Sequence, residues 1–210
     1  MNRRQLNRWI SLISLSLFSL TSVPALAADE APDALIQRVS TEVLSIIKTD
    51  KTLMAGDVAR IVTLVDTKVM PYVNFQGMTA SAVGPGWRQA TPEQRKRLQE
   101  EFKILLVQTY AGALINVKDN TISVKPLRAA ADSTAVTVRT EILGRGEPVQ
   151  LDYRLEKISG EGWKINNLNV LGVWLVETYR SQFRSEINAK GIDGLITTLT
   201  EMNKSNAKKS

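Results

Sequence analysis

The chain has 210 residues with no cysteine and no histidine, which removes disulfides, lipidated cysteine, thiol nucleophiles, Ser/His and Cys/His couples and the commonest zinc ligand together. Lysine and arginine number 27 against 21 acidic residues, but without Arg3, Arg4, Arg8, Lys204, Lys208 and Lys209 the two signs balance at 21 each. The body of the chain therefore lacks the basic face that nucleic acid requires, and no catalytic residue, metal or cofactor is expected.

Arg3, Arg4 and Arg8 precede an apolar stretch from Trp9 to Val23, and Ala25-Leu26-Ala27 follows. Basic, apolar and small-residue regions in that order read as a secretory signal peptide over residues 1–27. The apolar stretch is shorter than the roughly 18 to 20 residues of a spanning helix, so a released periplasmic protein is expected, not a membrane-spanning one. Residues 28–203 read as one domain with no Pro/Gly/Ser linker, and 204–210 as a polar basic tail.

From Pro32 to Lys48 apolar residues recur at helical spacing, among them Leu35, Ile36, Val39, Val43, Ile46 and Ile47. A second helix carries Val58, Ile61, Val62, Val65 and Val69 on one stripe and stops before Pro71. A short helix fits Phe75 to Val83, closed by Gly84-Pro85-Gly86. Thr91-Pro92-Glu93-Gln94 then supplies a cap, a proline at the first helical position and a capping-box glutamine. The helix that follows places Leu98, Phe102, Leu105, Leu106 and Tyr110 on one side.

After Asn120 the period changes from helical to alternating. Ile122 and Val124, then Val136, Val138, Thr140 and Ile142, then Val149, Leu151, Tyr153 and Leu155, then Trp163 and Ile165 face one way, with charged residues between them. Four antiparallel strands follow, with one apolar and one wet face. Helix returns after Gly172 with Val176, Tyr179, Phe183 and Ile187 on a stripe. The expected fold is α+β: a four-stranded antiparallel sheet whose apolar face is covered by several helices.

Particular residues then carry a family resemblance. Pro71-Tyr72-Val73-Asn74-Phe75, Trp87 to Arg95, and Tyr179-Arg180-Ser181-Gln182-Phe183 followed by Gly191-Ile192-Asp193-Gly194-Leu195-Ile196 together resemble the MlaC family, also called the toluene-tolerance auxiliary family. This family is the periplasmic component of the Mla pathway for maintenance of lipid asymmetry. The resemblance implies an NTF2-like fold around an apolar cavity and a phospholipid ligand. It also implies two partners, an outer-membrane lipoprotein complex and an inner-membrane complex built on an ABC transporter.

Burying two chains of about 16 carbons, at roughly 0.8 kcal/mol per methylene, is worth on the order of 25 kcal/mol. A carrier must therefore enclose both tails almost completely. The expected lining comprises Val65, Val69, Tyr72, Phe75 and Met78, then Phe102, Leu105, Leu106 and Tyr110, then the strand residues Val136, Val138, Ile142, Val149, Leu151, Tyr153, Leu155 and Ile165, and finally Trp174, Tyr179 and Phe183. Arg180 and Arg184, one turn apart, are the candidates for a phosphate head group. Periodicity alone does not separate a cavity lining from a packed core, and the resemblance favours the lining. Two other readings stand beside the carrier: a small-molecule enzyme using Asp152 or Glu141 as a base, and an interaction module with a solid core.

Overall fold

A computed structural model describes residues 30–116, 120–130 and 132–208; the expected signal peptide lies outside them. Among the described residues six α-helices come first, then five strands, then a last α-helix. Helix α1 (Pro32–Thr49) begins at Pro32 with Asp33 in its first turn. The short α2 (Lys51–Met54) and α3 (Val58–Leu64) begin where Asp50 and Asp57 accept hydrogen bonds from the first free backbone N–H groups. The α3 stripe does not remain α-helical to Pro71. It widens into a π-helical turn (Val65–Val69) and then tightens into a 3-10 turn (Met70–Tyr72), the latter accommodating Pro71.

Asn74 caps α4 (Phe75–Val83) by accepting from the Gly77 N–H at 2.9 Å, while its amide donates to Glu156 at 2.7 Å. A side chain at Gly77 would run into that cap, since a Cβ there would lie 2.6 Å from the Asn74 amide. After α5 (Gly86–Gln89), the capping box forms as the sequence indicates. Gln94 N–H donates to Thr91 Oγ1 at 3.2 Å, and Thr91 N–H donates to Gln94 Oε1 at 3.0 Å. It starts α6 (Pro92–Asn116), which packs on both sides: Leu98, Phe102 and Leu105 face one apolar cluster, Val107 and Ala111 another.

The sheet has five antiparallel strands in sequential order and not the four expected. They are β1 (Thr121–Val124), β2 (Ala135–Leu143), β3 (Val149–Ile158), β4 (Gly162–Val170) and β5 (Val173–Trp174). The extra strand is two residues long, too short to show an alternation. It folds back through Leu171 and Gly172, both with positive φ. Register places Val136 opposite Leu155, Val138 opposite Tyr153, Thr140 opposite Leu151 and Ile142 opposite Val149, so these residues share the inner face with Leu168 and Val170.

The last helix, α7 (Leu175–Ala207), is two arms joined at Gly191, whose φ of 70° breaks the helical path. It continues four residues into the segment read as a polar tail. No helix among the described residues is long and apolar enough to cross a membrane.

Candidate functional site

The interior between sheet and helices divides into three apolar clusters. The first gathers α4, α6 and both arms of α7 around Phe102, which is fully buried. Its ring meets Tyr179 and Phe183 edge-on at centroid distances of 5.0 and 5.2 Å, and Phe75 at 5.8 Å. The second holds Leu35, Ile36 and Val39 of α1 against Val138, Leu155 and Ile165 of the sheet. The third joins α1, α2, α3 and α6 through Ile47, Leu53, Ile61, Leu64, Val107 and Ala111. A close-packed domain usually has one contiguous core. Here only half-buried residues span two clusters: Val73 touches the first and second, Val43 the second and third.

The expected lining residues distribute over this arrangement unevenly. Met78, Phe102, Leu105, Tyr179 and Phe183 are buried in the first cluster, with Phe75, Leu106 and Tyr110 half-buried against it. Val138, Leu155 and Ile165 are buried in the second, with Tyr72, Val136 and Tyr153 against it, and Val65 borders the third. Val69, Ile142, Val149 and Leu151 belong to none of the three clusters and are half-buried. The residues that are solid core and those that keep accessible surface are thus separated by the structure, which the alternation did not do.

Tyr153 shows what kind of accessibility this is. Desolvation by burial pushes its phenol up to about 12. The residue nevertheless keeps surface open to a water-sized sphere. It packs, half-buried, against the second cluster. At one end of the sheet Leu143, Leu171 and Val173 are exposed at 38, 67 and 49 %. These three flank the inner-face residues Ile142, Val149 and Val170. Leu171 holds a left-handed φ of 52°, unfavourable for a branched side chain, while its N–H donates to the Gln150 carbonyl at 3.1 Å.

Three expected site residues lie elsewhere. Trp174 pairs across the strands with Asn169, on the outer face, and Arg154 stacks 3.9 Å above its ring; it is not a lining residue. Arg180 donates to the Ser81 carbonyl at 2.8 Å, tying α7 to α4, and Arg184 is exposed beyond it. Neither arginine belongs to the stripe of α7 facing the core, which carries Val176, Tyr179 and Phe183 instead. A separate surface concavity of about 710 Å³ opens beside Lys125, Arg128 and Arg139. It is lined by charged and small residues and is not the apolar enclosure the sequence leads one to expect.

The acids considered as possible bases are on the outer face, as their alternation requires. Glu141 pairs with Lys125 at 2.5 Å. Asp152 is 4 % exposed, a burial the sequence does not signal, and it accepts from Gln150 at 2.6 Å and from the Thr140 N–H at 3.3 Å. Beside it, Glu177 at the start of α7 accepts from Asn167 at 2.7 Å and contacts Arg154. Burial, the largest influence, raises the Glu177 carboxyl, but the hydrogen bonds from Asn167 and Arg154 together bring it below its ordinary value of 4.5.

A folded-state value below the unfolded one stabilises the fold above the unfolded value and is lost as pH falls through the folded one. The melting temperature is therefore expected to hold from neutral pH to about 4.5 and to decline below, with Glu177→Gln removing part of the decline. A thermal melt series that superimposes for the two proteins would deny Glu177 that role.

The comparisons with known proteins bear on this site. Residues 37–201 match the sequence profile described as "MlaC protein". This chain belongs to the MlaC family. It is 25% identical over 204 residues to the intermembrane phospholipid transport system binding protein MlaC of Haemophilus influenzae, covering 96% of this chain and 95% of that one. It is 31% identical over 184 residues to the toluene tolerance protein ttg2D of Pseudomonas putida, covering 87% and 83%. Among solved structures, the phospholipid-binding protein of Ralstonia solanacearum, in complex with a phospholipid, superimposes with a TM-score of 0.81 at 45% identity. That match covers 86% of this chain and 99% of the Ralstonia chain.

Proposed function

We propose that this member of the MlaC family is a phospholipid carrier that holds acyl chains between the inner face of its sheet and helices α1, α3 and α6, with the head group at the end marked by Leu143, Leu171 and Val173. The observation that carries the reading is the set of inward-facing apolar residues that belong to no packed cluster, in a fold whose Ralstonia relative is in complex with a phospholipid. The charge at the head group then stays in water, where its solvation costs nothing, while the methylenes replace water along Ile142, Val149 and Leu151. The curved sheet under its helices is read as related to the NTF2-like fold. Residues 1–27 direct export, which places the mature chain, 28–210, in the periplasm.

The free energy that secures the tails also makes release into water very slow, so transfer proceeds by docking. The two partners are an outer-membrane lipoprotein complex and an inner-membrane ABC-transporter complex, engaged at the end where the space opens. Nothing in this cycle requires bond chemistry, and the acids of the outer face, Asp152 and Glu141, are engaged by neighbours rather than facing the space. The test is native mass spectrometry of the mature chain purified without detergent, followed by solvent extraction. A stoichiometric added mass that extracts as phospholipid is expected. A bare protein mass, with purified phospholipid failing to load it, would return weight to an interaction module.

A further inference from the structure

Strand β1 is four residues long and β2 nine, so β1 covers only residues 140–143 of its neighbour. The Lys125 N–H adds one more bond, to the Arg139 carbonyl at 2.9 Å. Pro126 follows with no N–H to continue the ladder, Leu127 packs against the second cluster, and the chain leaves the sheet. Just before β2 begins, the Thr134 carbonyl accepts from the Lys157 N–H at 2.8 Å, on the β3 side. Residues of an antiparallel strand direct their backbone groups alternately to its two sides. Val136 and Val138 therefore bond toward β3, while Ala135 and Thr137 face the lane that β1 has left. Among the described residues nothing bonds there to the N–H or the carbonyl of Ala135 or Thr137. The concavity of about 710 Å³ lies along this bare edge, between residues 135–139 and residues 125–130.

We propose that this edge of β2 is an interaction surface that takes an extended, acidic segment of a partner protein as an added strand. The edge offers donors and acceptors in alternation, and an extended backbone matches both, whereas a phosphate only accepts. The charge selects the sequence. Lys125, Arg128 and Arg139 line the concavity and no acid does. Lys125 is held by Glu141, but Arg128 and Arg139 are exposed and have no hydrogen-bond or ion-pair partner among the described residues. Directly opposed residues of paired strands share a face. Guest positions opposite Thr137 and Arg139 thus favour Glu or Asp, and those between them, on the face of Val136, favour an apolar residue. The same edge of a second copy does not fit, since its own arginines would stand against these, and opposed like charges destabilise a pair. Ala135 and Leu143 stand at opposite ends of β2, so a guest on this edge leaves the Leu143 end uncovered. The surface is therefore independent of the carrier reading.

The probe is a synthetic peptide, acetyl-Glu-Val-Glu-Val-Glu-amide, and the readout is amide hydrogen exchange of the chain 28–210 followed by NMR. With the peptide at about ten times its dissociation constant, exchange at Ala135 and Thr137 is expected to slow about tenfold. The amides of Val136 and Val138, already bonded to β3, should change little, and the counterpart peptide with Lys in place of Glu should protect neither. Thr137→Pro removes a donor and obstructs the added strand, and should abolish the protection at Ala135. Arg128→Glu combined with Arg139→Glu, both at exposed positions, should weaken the peptide about tenfold. Should Thr137→Pro melt early, the wild-type exchange pattern and the arginine variant decide. An acidic peptide that protects neither amide, or a basic one that protects them equally, overturns the proposal. So does full binding by Thr137→Pro, which would leave only a charged patch. Inorganic phosphate slowing the same amides would make this a small-anion site, and protection that grows with protein concentration alone would put a second copy on the edge; either result also overturns it.

Discussion

Phe102→Ala is expected to lower unfolding free energy by about 4 kcal/mol, the upper part of the range for a buried aromatic truncated to alanine. The ring is fully buried and touches three other aromatic rings, from α4 and the first arm of α7, at 5.0 to 5.8 Å. Each such pair adds about 0.5 to 1.5 kcal/mol beyond area burial. The neighbours cannot collapse into the void without losing their own geometry, because Tyr179 and Phe183 are one turn apart on the same helix and Phe75 is fixed by the Asn74 cap. With a domain stability of about 5 to 15 kcal/mol, the variant should melt well below the wild type. Urea unfolding of residues 28–210 measures it, and a loss under about 2 kcal/mol would mean that the first cluster yields rather than packs.

The same residue shows what the sequence could and could not say. Phe102, Leu105 and Leu98 on one stripe of α6 were legible from their spacing, as were the capping box at Thr91 and the alternation of β2 and β3. Periodicity reports which way a side chain points. It does not report whether a second layer closes over it. Phe102 and Leu151 carry the same signal, yet one is sealed by α7 from eighty residues away and the other belongs to no cluster. Two further features were hidden for a different reason. Leu35, Ile36 and Val39 meet Val138, Leu155 and Ile165 only because α1 packs on the sheet, and Asp152 is covered only because Gln150 and the β2 backbone close on it. The fifth strand and the break at Gly191 are too local for a periodic signal: two residues in one case, a single positive φ in the other.

Leu151→Asp is expected to abolish stoichiometric lipid binding while leaving a folded protein. Leu151 sits at the middle of the inner face, between Thr140 on β2 and Val170 on β4, and is one of the inward residues that no cluster covers. A carboxylate there would lie along the methylenes of a bound lipid. Its desolvation costs several kcal/mol even when the site relaxes, which at 1.4 kcal/mol per factor of ten lowers affinity at least a hundredfold. Aspartate is too short to carry its charge to the rim, as a lysine would. Leu151 is only half-buried in the lipid-free protein, so a carboxylate there keeps access to water and the fold is disturbed far less than the binding. Leu151→Met conserves volume and should keep its lipid. Native mass spectrometry gives occupancy and a thermal melt gives folding for all three proteins. Undiminished lipid in Leu151→Asp would place the acyl chains elsewhere, and a variant that loses lipid only because it unfolds would make Leu151 part of a solid core.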